Sequence, residues 1–225
     1  MNTIVVSGAN GNLGQAVVLH FLNIGWQVAG LVYSKHSPIC EHQHYREFRV
    51  DLKSESESEK CVQQLIDIYK KIDAVVMTAG GFRMGEFAHT TLQDLDFLYK
   101  LNFTTAYNLS RHLITHLEGV GGKFVFIGSA QGFDTKKGKS AVAYSLSKSH
   151  LFQLANIINA SYANKDVRAC VIVPSIIDTP QNRDDMPNAD FSKWEKTEDI
   201  ARVIADFIYN KITDSVIVVQ AVLKQ

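Results

Sequence analysis

The chain has 225 residues, 46% of them hydrophobic and 20% charged, and its 23 Lys and Arg balance 23 Asp and Glu. That length suits one well-buried domain, and the zero net charge leaves no electrostatic footprint for nucleic acid or an anionic membrane as partner. Cys40, Cys61 and Cys170 are odd in number and never spaced Cys-x-x-Cys, which argues against a disulfide framework or a zinc site and for a reducing compartment.

Thr3 to Ser7 reads as a strand buried on both faces, beginning too close to Met1 to leave room for a secretory signal. No apolar run approaches the length of a membrane span, so the expectation is a cytoplasmic protein. The strand gives way to Gly8-x-x-Gly11-x-x-Gly14 and a helical pattern from Leu13 to Ile24 closed by Gly25. Three glycines between strand and helix suit a backbone that must turn sharply and approach a dinucleotide diphosphate. Gly8, Asn10, Gly11, Asn12, Leu13 and Gly14 are therefore candidate cofactor contacts, the bland alternative being a plain Asn- and Gly-rich turn.

A second strand spans Gln27 to Tyr33, and the stretch Ser34-Lys35-His36-Ser37 after it holds no acid to bind a ribose 2′-hydroxyl. Ser34 and Lys35 suit a 2′-phosphate instead, favouring NADP(H) over NAD(H), although Lys35 also reads as an ordinary solvated side chain. His42-Gln-His44 is a polar loop without further ligands, so no metal is assigned. A third strand, Glu47 to Asp51, precedes a helix from Glu55 to Lys71, and a fourth runs from Ala74 to Thr78. A long helical pattern, Leu92 to Leu117, contains Asn102. The fifth strand, Lys123 to Gly128, ends at Ser129, and the helix Ala143 to Ala163 carries Tyr144-Ser-Leu-Ser-Lys148. A sixth strand, Val167 to Val173, is followed by a turn-rich segment, 174–196, holding Pro174, Pro180 and Pro187. A segment of this kind beyond a strand's carboxyl end suits a substrate-side loop. A helix from Glu198 to Asn210 and a strand from Ser215 to Gln220 complete the chain.

This alternation predicts one α/β domain over residues 1–225, a doubly wound parallel sheet of about seven strands with helices on both faces. Tyr144 and Lys148 stand one turn apart on one helix face, with Ser129 at the sheet's carboxyl edge.

In these residues the chain resembles the short-chain dehydrogenase/reductase family. The likeness runs through the glycine turn, Asp51-Leu52, Thr78-Ala79-Gly80-Gly81 in place of the usual Asn-Asn-Ala-Gly, Asn102, Ser129, Tyr144, Lys148 and Pro174-Ser-Ile-Ile-Asp-Thr179. It implies a Rossmann-like sheet in the strand order 3-2-1-4-5-6-7 and an NAD(P)-dependent oxidoreductase with an Asn102, Ser129, Tyr144 and Lys148 tetrad. It also implies cofactor contacts from Asp51, Leu52, Ala79, Gly80, Gly81, Tyr144, Lys148, Pro174, Ile177 and Thr179, and a homodimer or homotetramer. In that scheme Tyr144 is the general acid/base and Lys148 stabilises its phenolate, a shift of ~3 units being ~4 kcal/mol. Ser129 would bind the acceptor atom, and Asn102 would hold a water linking Lys148 to solvent. The plainer roles are a core aromatic for Tyr144, a helix cap for Ser129, a helix-kink residue for Asn102, and for Asp51 the N-cap of the following helix.

The stretch from Asp178 to Trp194, with Phe82 after Gly81, is similar to the substrate side of the family's dihydropteridine reductase branch, where Phe82, Phe191 and Trp194 would face a planar acceptor. The chain departs from that branch in lacking an acid after the second strand and in having Ser129 and Asn102. The expected substrate is a small carbonyl, quinonoid or pteridine-like compound. The alternatives are a dihydropteridine reductase proper and a catalytically silent NAD(P)-sensing protein. Apolar positions beyond one stripe, Phe97, Phe103, Leu109 and Leu113 on one helix and Leu151, Phe152, Leu154 and Ile158 on another, suggest a helix-to-helix subunit interface.

Overall fold

Seven parallel strands run in the order β3-β2-β1-β4-β5-β6-β9 in the computed structural model, which describes residues 1–34 and 39–223. They are β1 (Thr3–Ser7), β2 (Gln27–Val32), β3 (Tyr45–Arg49), β4 (Ala74–Met77), β5 (Gly122–Ile127), β6 (Val167–Val173) and, after a two-residue pair of β7 (Ile177–Asp178) and β8 (Glu195–Lys196), β9 (Val216–Val218). The order is the one expected, with β9 as the seventh strand. Lys35 lies outside the described residues.

Each central strand is apolar on consecutive positions because both faces are covered. On one face α1 (Asn12–Asn23) and α9 (Thr197–Ile208) bury Val17, Phe21, Ile200, Ile204 and Phe207 against Ile4, Val6 and Ile172. On the other, α2 (Glu55–Tyr69), α4 (Thr105–Val120) and α7 (Val142–Tyr162) cover Val5, Val75, Phe124, Phe126 and Val171. Helix starts follow local chemistry: Ser54 caps α2, and Thr91 with Asp94 forms a capping box at α3 (Leu92–Tyr99). Asp51 is therefore not the cap of α2; its carboxylate accepts from the backbone N–H of Lys53 instead.

Four local expectations are corrected. The third strand begins earlier, at Tyr45, because Tyr45 to Arg49 pair in register with Val28 to Val32. The last strand is only Val216–Val218, its continuation turning into α10 (Val219–Val222). The long helix from Leu92 is broken between α3 and α4 by a π-turn, Lys100–Thr104, in which the Thr105 N–H reaches back five residues to the Lys100 carbonyl. Segment 174–196 is not a bare loop: besides β7 and β8 it holds α8 (Pro180–Asp185), capped by Thr179 with Pro180 in its first turn, and a 3-10 turn at Phe191–Lys193. Of the apolar positions read as an interface, Leu109, Leu113, Leu151 and Ile158 belong to the chain's own core. Phe97 is exposed beneath the Arg83 guanidinium, 3.9 Å from its ring centroid.

Candidate active site

The glycine turn sits at the carboxyl end of β1, where β1 lies between β2 and β4. Gly8 has φ +64°, and a Cβ there would stand 2.8 Å from the Ala79 nitrogen; one on Gly14 would stand 2.1 Å from the Gly8 carbonyl oxygen. Both glycines are thus demanded by the packing of turn, helix and β4. Thr78 fastens the same junction, its hydroxyl donating to the Ser7 carbonyl at 2.6 Å. Gly11 and Asn12 are exposed, Asn10 is half-buried, and Leu13 and Gly14 are buried under the turn. Unlike α2, α3 and α8, α1 starts at Gly11 with no side-chain cap and no acid in its first turn. Its leading amides are therefore not satisfied from a side chain, as a helix start that receives phosphate oxygens requires.

Two clefts open at the carboxyl ends of the strands. One, of about 610 Å³, lies between Asn12 and Gln15 of α1 and the stretch Asp178, Thr179, Pro180 and Arg183. The other, of about 540 Å³, lies at the ends of β2 and β3 and is lined by Tyr33, Ser34, Arg49, Val50, Asp51 and Glu57. The second holds a residue that sequence reasoning does not reach. Arg49 is exposed, donates from Nε to the Tyr33 carbonyl at 3.4 Å, and has no ion-pair partner among the described residues. Asp51 is 3.7 Å from the Lys53 ammonium, which stands 4.7 Å from the Tyr33 ring centroid. The buried Leu52 offers its carbonyl to Asn108 at 2.9 Å. A position on a neighbouring strand leaves no linear motif; only the register Val32 to Arg49 brings it to the cleft.

The third part of the site converges on α7. Tyr144 is half-buried, its ring meeting Phe82 edge-on at 4.9 Å, and its hydroxyl shares a hydrogen bond with Ser129. Ser129 also accepts from the Gly132 N–H at 3.1 Å as the cap of α5 (Ala130–Phe133), the plainer of the two roles considered for it. Lys148 is buried and donates to the Ile127 carbonyl at 2.7 Å. α5 and α7 approach closely because Gly132 has no side chain: a Cβ there would lie 2.8 Å from the Lys148 Cβ. The short α6 (Thr135–Gly138) follows, its Gly138 carbonyl accepting from Ser145 at 3.1 Å. Asn102, 1% exposed, has its amide bonded at both ends: Oδ1 accepts from the Gly81 N–H at 2.8 Å, and Nδ2 donates to the Gly81 carbonyl and to Ser147, each at 3.0 Å. Its side chain clamps the chain after β4 onto α7. A Cβ on Gly80 would meet the Asn102 Oδ1 at 2.7 Å and the Lys148 ammonium at 3.3 Å, so Ala79 to Gly81 pass directly over the pair.

The electrostatics also differ from the simple expectation of an acidified phenol. Burial raises the Tyr144 pKa above its ordinary value, and the Ser129 hydrogen bond pulls it only part of the way back. Lys148 stands 6.0 Å from the Tyr144 ring centroid, and burial brings its own pKa down to about 8. Both groups are thus driven toward their neutral forms.

Pro174 is buried at the end of β6, Ile177 follows it in β7, and Thr179 lines the first cleft. Arg183 makes a two-point ion pair with Asp178, at 2.6 and 2.8 Å, and covers Phe191 at 4.8 Å. Phe191 in turn packs on Trp194 at 4.7 Å. These aromatics fasten the segment to itself, whereas Phe82, 53% exposed, is the aromatic set against Tyr144.

A parallel sheet with a glycine turn at its first strand and a Ser, Tyr and Lys cluster at its carboxyl edge defines an NAD(P)-dependent oxidoreductase. The chain belongs to the short chain dehydrogenase family, whose family model matches residues 2–190. It is 24% identical over 210 residues to dihydropteridine reductase of Dictyostelium discoideum, covering 92% of this chain and 87% of that protein. To ipsdienol dehydrogenase of Ips pini it is 26% identical over 193 residues, covering 80% and 76%. In structure it is similar to aldohexose dehydrogenase of Thermoplasma acidophilum (TM-score 0.84, 20% identity, 96% and 91% covered). It is likewise similar to ElxO with NADP bound (TM-score 0.86, 18% identity, 97% and 96% covered).

Proposed function

We propose that the protein reduces a small carbonyl, quinonoid or pteridine-like acceptor with NADPH, Tyr144 serving as the proton donor. The observation that carries this reading is the meeting of Ser129 and Tyr144, with Lys148 one turn along α7 under Gly80, at the carboxyl edge of the sheet where α1 also starts without a side-chain cap. The residues fit a dinucleotide: Gly8 to Gly14 would cradle the diphosphate, Ser34, Arg49, Asp51 and Leu52 the adenosine end, and Ala79 to Gly81 with Pro174, Ile177 and Thr179 the nicotinamide end. The cofactor supplies a hydride. The chain supplies what must accompany it, a proton for the acceptor atom and a dry setting for its transfer.

A phenol held above its ordinary pKa is protonated at neutral pH, which is the form that donates. As negative charge develops on the acceptor, the Tyr144 O–H transfers its proton and the Ser129 hydroxyl donates a hydrogen bond to the same atom. The buried Lys148 ammonium, with a pKa of about 8, stabilises the resulting phenolate and returns a proton to it. Asn102 acts as a positioning residue, fixing Gly81 against α7 through Ser147. The preference for NADPH is supported by the lack of an acid after β2 and by Arg49, whose guanidinium has the fork that a phosphate monoester accepts. Phe82 supports a planar acceptor, since it presents an exposed ring beside the proton donor. We assign the chain to a homodimer or homotetramer in the cytoplasm, supported by exposed Phe97, Tyr99, Tyr107 and Leu146 along α3, α4 and α7 and by three free cysteines.

Titrating the protein with NADPH and NADH by cofactor fluorescence, then screening ketones, quinones and quinonoid dihydropterin with the tighter of the two, tests this reading. Saturable NADPH binding with turnover of at least one class is the expected result. A chain that binds neither dinucleotide overturns it.

A further inference from the structure

Glu195 is the one carboxyl among the buried described residues, 4% exposed, and the mechanism above does not use it. It stands in β8 at the foot of segment 174–196, opposite Ile177 in the β7 and β8 register. Its own N–H donates to the Ile176 carbonyl at 2.9 Å, and its Oε2 accepts from the Ser175 N–H at 3.1 Å. The Ser175 hydroxyl also bonds to this carboxyl and accepts from Gln220 Nε2 at 3.1 Å. Oε1 is buried without a partner among the described residues. One side chain thus ties the outgoing and returning ends of the segment that carries Ile177 and Thr179.

A glutamine would accept from Ser175 as well and bring no charge into the interior, so the ionisable group calls for a reason. Two neighbours act on it in opposite senses. Ser175 donates and favours the carboxylate, while Asp199, in the first turn of α9 and itself paired with Arg202, repels it. Lys196, on the same strand, is exposed and acts on Asp178. A charged Oε1 has no donor in the closed arrangement and gains one only if water enters. Ser175 is exposed, so a small opening of the foot is enough to admit it.

Resting on the dinucleotide reading above, we propose that Glu195 is a positioning residue that gates segment 174–196: its neutral carboxyl keeps the foot of the segment closed, and its ionisation releases it. Burial raises the closed-state pKa above that of the open state. Closure is therefore fully favoured at pH below the open-state value and is lost as pH rises through the closed-state value.

Hydrogen exchange of the amides in 175–196, followed on the full chain across a pH series, tests the gate. Dividing wild-type rates by those of Glu195→Gln at the same pH cancels the intrinsic dependence of exchange on pH. The expected ratio is flat on the acid side, then rises about tenfold per pH unit to a plateau. Ser175→Ala, which removes the hydroxyl donor, raises the closed-state pKa alone, so the rise starts at the same pH and runs on to a plateau at higher pH. A ratio flat at all pH overturns the gate. If thermal melts show that the Gln variant does not fold, a plateau in Ser175→Ala reached at the wild-type pH overturns it. NADPH affinity measured in parallel separates the two readings: a rising ratio in a chain that binds no dinucleotide sinks the cofactor reading alone, and a flat ratio in one that binds NADPH sinks the gate alone.

Discussion

Replacing Lys148 with Met removes the buried ammonium and keeps the length of the side chain, so it isolates the energetic consequence of burying a cation at this site. A pKa lowered from 10.5 to about 8 means that the folded chain binds the proton more weakly than the unfolded one. At about pH 7 that penalty is about 3 kcal/mol, and at about pH 9.5 it has fallen to about 1.4 kcal/mol. The Ile127 carbonyl loses its donor in the variant, a pH-independent loss of about 1 to 3 kcal/mol. Wild type and Lys148→Met should therefore be of similar stability near neutrality. The difference between them should then move by about 2 kcal/mol in favour of wild type as pH rises to about 9.5. Urea denaturation of both proteins at four or five pH values measures this, while turnover is lost in the variant throughout. Parallel stability curves would mean that Lys148 carries an ordinary lysine pKa, and the account of a desolvated proton reservoir would fail.

Tyr144→Phe is expected to keep its NADPH dissociation constant within about twofold while kcat falls by at least about 10²; equal turnover would remove Tyr144 as proton donor. Gly14→Ala drives a methyl to within 2.1 Å of the Gly8 carbonyl oxygen, so α1 must lift from the turn. A loss of about 2 kcal/mol or more, together with dinucleotide binding, is expected in urea melts and titrations, and an unchanged midpoint would contradict the packing. Arg49→Gln is expected to lower NADPH affinity by about tenfold relative to NADH, and a preserved ratio of the two dissociation constants would show that another group reads the phosphate.

The doubly covered parallel sheet could be read in advance because each central strand, from Val5 and Val6 to Val171 and Ile172, is apolar without alternation, the mark of burial on both faces; the order of the strands came with the family resemblance. The glycine turn was equally legible, since strand, Gly8 and helix follow one another in the chain. Three features were not. The π-turn before Thr105 is a choice of hydrogen-bond partner made by the packed backbone, and residues such as Leu101 and Phe103 suit an α-helix as well. Arg49 enters the cleft by strand register, and the Asn102 amide finds Gly81 and Ser147 only after α7 has packed. The aromatic pair Phe191 and Trp194 shows the opposite hazard: composition marks a stacking surface, and Arg183 shows that one of its faces is already covered.

Tyr144, Lys148 and Glu195 share one consequence of their placement. All three lie at the carboxyl edge of the sheet, and burial moves each toward its neutral form: the phenol up, the ammonium down and the carboxyl up. The Lys148 ammonium is anchored by one of its three donors to the Ile127 carbonyl, which leaves two for the phenolate as it forms. Neutral Tyr144 is the donor needed for reduction, whereas oxidation needs the phenolate first. In the pH range where Glu195 keeps the segment closed and Lys148 holds its proton, the protonation pattern favours the reductive direction. Raising the pH weakens closure of the segment and depletes the Lys148 proton, so ionisation of either buried group opposes the reductive direction proposed above.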